Sequence, residues 1–146
     1  MRRYVAETFD GVWAVDNEGD TFFMYAPDGE LPPERQFPFV TLVTADRYDS
    51  VSDLDRPGVY RLNIGLTRAT FAGLFGAPPG PGWDYTALDV VLPHPVYAGQ
   101  HWVCVLNPGE ATWDTVRAML AAAHSFAARK HANHRSRRLG AEPTVS

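Results

Sequence analysis

Leu88 to Leu106 most narrows what this chain can fold into: Leu-Asp-Val-Val-Leu-Pro-His-Pro-Val-Tyr-Ala-Gly-Gln-His-Trp-Val-Cys-Val-Leu, closed by Asn107-Pro108. Leu88–Leu92 is an apolar run stopped by Pro93, and Trp102–Leu106 is a second run rich in β-formers. Pro93, Pro95 and Gly99 between them favour a tight return, so the stretch predicts strand, turn, strand. The longest helix pattern follows at once. Val116, Met119, Leu120, Ala123 and Ala127 repeat at helical spacing after a Thr112 cap, with Asp114 in the first turn. A strand pair feeding one amphipathic helix must bury that helix on a sheet.

The rest of the chain supplies the sheet. A short helix is expected over Arg2–Phe9, then strands over 12–16 and 21–25 joined by Asp16–Asp20, with Gly19 free to take a positive φ. Strands are also expected over 39–43 and 59–66. In the latter, alternation puts Tyr60, Leu62, Ile64 and Leu66 on one face and Val59, Arg61, Asn63 and Gly65 on the other. Thr67 caps a helix over 68–75 that Gly76 stops, and Pro/Gly residues fill 77–82. The expected fold class is α+β: an antiparallel or mixed sheet of about six strands, helices on one face. Residues 1–138 form one domain in this reading and 139–146 a disordered tail.

Composition excludes several classes of function. No apolar run approaches the ~18 residues of a membrane span, and no apolar segment follows Arg2 and Arg3 as in a secretory signal. One cysteine makes no internal disulfide, so the cytoplasm is the expected location. A net charge of −4 argues against strong nucleic-acid binding. Arg129, Lys130, Arg135, Arg137 and Arg138 nevertheless crowd the C-terminal end, with His131 and His134 among them; the plainer reading is a solvated helix end.

Several separated motifs resemble a family of uncharacterised actinobacterial proteins, a domain of unknown function. They are Tyr25-Ala26-Pro27-Asp28-Gly29, Arg56-Pro57-Gly58-Val59-Tyr60-Arg61-Leu62-Asn63-Ile64, Pro93-His94-Pro95-Val96-Tyr97 and Trp102-Val103-Cys104-Val105-Leu106-Asn107-Pro108. A more distant likeness is to the MmcQ/YjbR proteins, which implies a CyaY-like fold and carries a DNA-binding label. The chain departs from them in being acidic overall and poor in lysine near its aromatic strand.

No P-loop, Gly-x-Gly-x-x-Gly, Gly-x-Ser-x-Gly, His-Glu-x-x-His or Cys-x-x-Cys is present, so no motif names an activity, and whether the chain is an enzyme stays open. The candidates are individual residues. His94, held between two prolines, suits an acid–base residue or a ligand-orienting donor; the plainer alternative is a turn histidine packed on Tyr97 and bonded to a backbone carbonyl. Arg61 and Asn63 line either a solvated face or the polar wall of a pocket, where Arg61 would grip an anion. Tyr97, Trp102 and His101 complete the expected ligand-binding set. A metal on His94 and His101 would need a third ligand such as Asp84 or Asp89, and no metal or cofactor is expected. Cys104 is expected as inert packing, His124 at the core edge, and Asp49, Asp53 and Asp55 in a polar loop.

The aromatic excess and the polar groups around His94 point to a small-molecule-binding domain, either a tailoring enzyme of specialised metabolism or a sequestering resistance protein. The competing readings are a nucleic-acid-binding module and a non-catalytic interaction domain, in the latter case a homodimer.

Overall fold

The computed structural model describes residues 1–32, 36–76 and 80–141, with side chains in the last segment through 136. Its elements are α1 (Arg2–Thr8), β1 (Val12–Asn17), β2 (Asp20–Tyr25), β3 (Val40–Val43), β4 (Arg61–Gly65), α2 (Arg68–Phe75), β5 (Val91–Pro93), β6 (Trp102–Leu106) and α3 (Trp113–Ala141). The strands make one sheet in the order β1-β2-β3-β4-β6-β5, antiparallel throughout. The last hairpin is therefore reversed in space: β6 lies inside against β4, and β5 forms the edge.

Register carries the alternation of β4 across the sheet. Ile64 pairs with Val40 and Val103, and Leu62 with Leu42 and Val105. These side chains join Phe23 in a core closed by Val5 of α1, Phe71 of α2 and Val116, Met119, Leu120 and Ala123 of α3. All three helices thus pack on one face. Thr67 caps α2 by accepting from the Thr70 amide at 3.2 Å, and Gly76 ends it with φ 73°.

The second face is covered by chain without regular structure. The segment 44–60 folds back over β3, β4 and β6, and Leu54 and Val59 join Val43 and Leu106 in a smaller apolar cluster. Two acids pin it. Asp20 Oδ1 accepts the Thr44 amide at 2.8 Å, while Asp20 Oδ2 forms an ion pair with Arg47 at 2.8 Å without hydrogen-bond alignment. Asp46 accepts the Leu54 amide at 3.0 Å.

Several boundaries differ from expectation. The strand expected over 88–92 is β5, Val91–Pro93, because Asp89 takes φ 57° and leaves Leu88 with a single bridge to Leu106. Asp89 turns its carboxylate to the start of α3. There it accepts from the amides of Gly109 (2.7 Å), Ala111 (2.9 Å) and Thr112 (3.1 Å) and from the Thr112 hydroxyl. Thr112 stands at the cap position, but its hydroxyl donates to Asp89 instead of accepting from the helix, so the cap comes from another element. These bonds, that from Thr112 first, hold the Asp89 carboxyl below its usual pKa. The backbone of α3 runs to 141, well past Ala127, where the apolar repeat ends, and into the expected tail. Residues 142–146 of that tail and 77–79 of the Pro/Gly loop lie outside the described residues.

Asp89→Ala removes the side-chain acceptors at the start of α3 and places alanine at a positive φ, so its melting temperature is expected to fall well below that of Asp89→Asn. Asparagine keeps one acceptor oxygen and tolerates that conformation. Thermal denaturation of the two variants checks this; equal losses would show that the cap does not anchor the helix.

Candidate functional site

Pro93-His94-Pro95 leaves β5 and enters a turn that a short 3-10 segment, Ala98–Gln100, carries back to β6. The His94 amide donates to the Trp102 carbonyl at 2.9 Å, and the Trp102 amide to the Tyr97 carbonyl at 3.2 Å. The His94 ring closes the turn. Its Nδ1 accepts from the amides of Val96 at 3.0 Å and Tyr97 at 2.9 Å, much as an Asn or Asp oxygen does in an Asx-turn. An Nδ1 that accepts two bonds carries no proton, so the neutral ring is protonated at Nε2. The ring centroid lies 5.0 Å from that of Tyr97 and 6.5 Å from that of Trp102. The plainer alternative for His94 therefore holds for Tyr97 packing, but the ring's partners are two amides, not a carbonyl.

Beside the turn lies a buried polar cluster on the second face of the sheet. Arg61 is 2% exposed. Its Nη1 and Nη2 donate to the two oxygens of Asp49 at 3.0 and 2.8 Å, Nη1 also to Ser52 Oγ at 2.9 Å, and Nε to Asn63 Oδ1 at 3.1 Å. Asn63 passes the chain on to Thr41 Oγ1 at 3.0 Å. Neither expected surrounding holds: the face is not solvated, and Asp49 already occupies the fork that Arg61 would offer to an anion. Arg61 holds the Asp49 carboxyl below the usual carboxylate range. Burial, and then the positive charge of Arg61, push the pKa of His94 down to about 4, although Asp49 opposes this. Burial likewise pushes the Cys104 thiol up to about 12, which leaves it protonated and inert near neutral pH.

Trp102 shares this face. Its indole lies over Gly65, where an added Cβ would stand 2.8 Å from the ring, so the strand permits this packing only as glycine. His101 parts from the group. It occupies the left-handed corner before β6, with its ring 5.8 Å from Phe71 of the helix-covered face. His94, Tyr97, Trp102 and Arg61 thus gather around one turn and one strand, and His101 does not join them. Among the described residues no group of three or more His, Cys, Asp or Glu stands together as a metal-binding cluster. His124 sits at the core edge against Phe9, Tyr25 and Phe39, with Nε2 2.7 Å from the Asp10 carbonyl.

Asp49 and Ser52 were invisible from the sequence as members of this cluster. The available signal was Arg61 itself. An arginine alternating with core residues in a central strand needs an acid when buried, and the loop 44–57 is rich in aspartate. Which aspartate answers it depends on how the loop folds.

The sequence matches, over residues 1–136, the family described as Family of unknown function (DUF6194), and the chain belongs to that family. No curated protein and no solved structure matches it.

Burial of His94 makes stability depend on pH. On unfolding, the ring regains its ordinary pKa of 6.5, while the folded ring stays neutral down to about 4. Stability is expected to fall as pH drops from 6.5 toward 4, by on the order of 1–2 kcal/mol between pH 7 and 5, and this term levels off below 4. Asp49 acts lower: its contribution is full above 3.8 and is lost as pH falls through its depressed folded pKa. Urea unfolding at pH 7 and 5 should show the loss in the native chain and a smaller one in His94→Asn. Equal losses would place its origin elsewhere.

Proposed function

We propose that this member of the family is a small-molecule-binding domain whose ligand lies against the 93–102 turn. It would accept a hydrogen bond from His94 Nε2–H, pack on Tyr97 and take Trp102 as an apolar wall. The observation that carries this reading is the division of the His94 ring. Nδ1 is committed to the turn, while Nε2 has no hydrogen-bond partner among the described residues. Exposed apolar side chains flank buried His94 and half-buried Asp49 in sequence: Val96 and Tyr97 after His94, Tyr48 and Val51 around Asp49. A rigid donor with aromatic neighbours is the common grammar of small-molecule recognition.

The same geometry favours binding without turnover. An acid–base histidine needs a free ring lone pair, and the one on His94 is held by two amides. With Arg61 neutralised by Asp49, the ligand is a neutral, polar aromatic molecule and not a carboxylate or phosphate. Of the two roles drawn from the sequence, sequestration fits this arrangement better than a tailoring reaction. Cys104 is buried, and a free buried thiol suits a reducing compartment, so we place the protein in the cytoplasm. No helix among the described residues is long and apolar enough to cross a membrane.

Screening neutral heteroaromatic fragments by amide chemical shifts tests the proposal. Hits are expected to move the Val96 and Tyr97 resonances. Tyr97→Ala and His94→Asn should each weaken them by about tenfold, roughly 1.4 kcal/mol. Asparagine can keep the turn closed through its own side-chain oxygen, so His94→Asn separates a donor to ligand from a turn support. Hits that map elsewhere, or that bind His94→Asn unchanged, overturn the reading.

A further inference from the structure

The charge of this chain is segregated along it. Arg117, Arg129, Lys130, Arg135, Arg137 and Arg138 lie between positions 115 and 141, and that interval holds no Asp or Glu. Of thirteen Lys and Arg in the chain, seven remain elsewhere against all seventeen acids, so residues 115–141 carry +6 and the rest of the molecule −10. The basic part is also the part that leaves the core. The last apolar α3 side chain packed on the core is Ala127; His131 still sets its ring against Tyr25 at 5.4 Å, while Arg129, Lys130, Ala132, Asn133, His134, Arg135 and Ser136 are exposed. The helical backbone continues to Ala141.

Such a segment is costly to the isolated chain. A helix beyond its packed face is marginal in water, and the sequence places no acid at i,i+4 spacing within this segment, though Asp28 of the body stands 3.8 Å from His131 Nε2. An acidic body with a purely basic helical arm therefore calls for an anionic partner. The arm's chemistry selects among anions. Beyond Ala128 its one large apolar residue is Leu139, too little to sink a face into a lipid surface. It has no Phe, Tyr or Trp there on which unpaired bases would stack; Phe126, just before it, is covered by Arg129 at 5.8 Å and Lys130 at 4.4 Å. Arginine forks and short polar side chains on a bare helix fit the phosphates flanking a duplex groove, which admits a helix.

We propose that the end of α3, from Arg129 onward, is an arm that docks on the phosphate backbone of a nucleic-acid duplex, without sequence preference. The body's negative charge limits the affinity, so binding is weak at physiological salt and strong only when screening is low. This inference does not depend on the ligand proposed at His94, because none of its residues touches that turn.

Fluorescence anisotropy of the full chain with a labelled duplex of about 30 base pairs tests it. Binding is expected at about 20 mM salt, with log affinity falling by about 0.9 per phosphate neutralised for each log unit of salt. The combined variant Arg129→Gln, Lys130→Gln, Arg135→Gln should weaken binding more than tenfold and make the salt slope shallower by about 2–3. Its far-UV circular dichroism should match that of the native chain. No binding at low salt, or an unchanged slope in the variant, overturns the proposal. So does equally tight binding of polyglutamate or of anionic phospholipid vesicles, which would make the partner an acidic protein or a membrane. Salt-sensitive self-association of the chain alone, abolished by the same variant, would assign the arm to a second copy and overturn it as well.

Discussion

The second face of the sheet depends on one ion pair. Arg61 replaces an apolar residue in the most central pair of strands, and a guanidinium buried there is tolerable only if its N–H groups are met. Asp49 meets two of them with matched geometry, and Ser52 and Asn63 meet others. The pair fixes the loop that carries Asp49, and that loop shields the face on which Trp102 and Cys104 lie. Removing either partner leaves an uncompensated charge in the interior, a change that typically costs about 3–5 kcal/mol. Replacing both with apolar residues of similar volume would cost far less. The pair therefore specifies where the loop lies more than it adds to stability.

The pair also sets the chemistry beside it. Arg61 lowers the proton affinity of His94, while Asp49 opposes it, and burial decides the outcome. The result is a neutral imidazole, a protonated thiol and an internally compensated ion pair within one small region. None of these is a reactive species near neutral pH. A site of this kind recognises by shape and hydrogen bonding, which is why binding without turnover follows from its electrostatics.

Much of the fold was legible because period-2 alternation and helix punctuation are local. Tyr60 to Leu66 declared its two faces, and Thr67 and Gly76 bounded α2. What failed to show was long-range polar pairing. A polar stripe opposite a core stripe reads as solvated, and only a folded loop reveals that Asp49 reaches Arg61. Asp89 misled for a similar reason. Within an apolar run it reads as a strand residue, yet its acceptor oxygens are drawn to amides twenty positions further along, and the strand gives way. For His94 the two flanking prolines signalled a fixed ring, but not that backbone amides would hold it.

The reversed position of the last hairpin has a consequence for synthesis on the ribosome. β1 to β4 form a meander from neighbouring segments and can pair as they emerge. The outer edge of β4 then waits for β6, and the apolar face waits for α3, which leaves the exit tunnel after every strand. During that interval the nascent chain presents an open strand edge and an uncovered greasy face together, the combination most prone to coaggregation. Cellular yield of this protein should thus respond to translation speed and to chaperones that hold nascent chains, more than the calm of its finished structure would suggest.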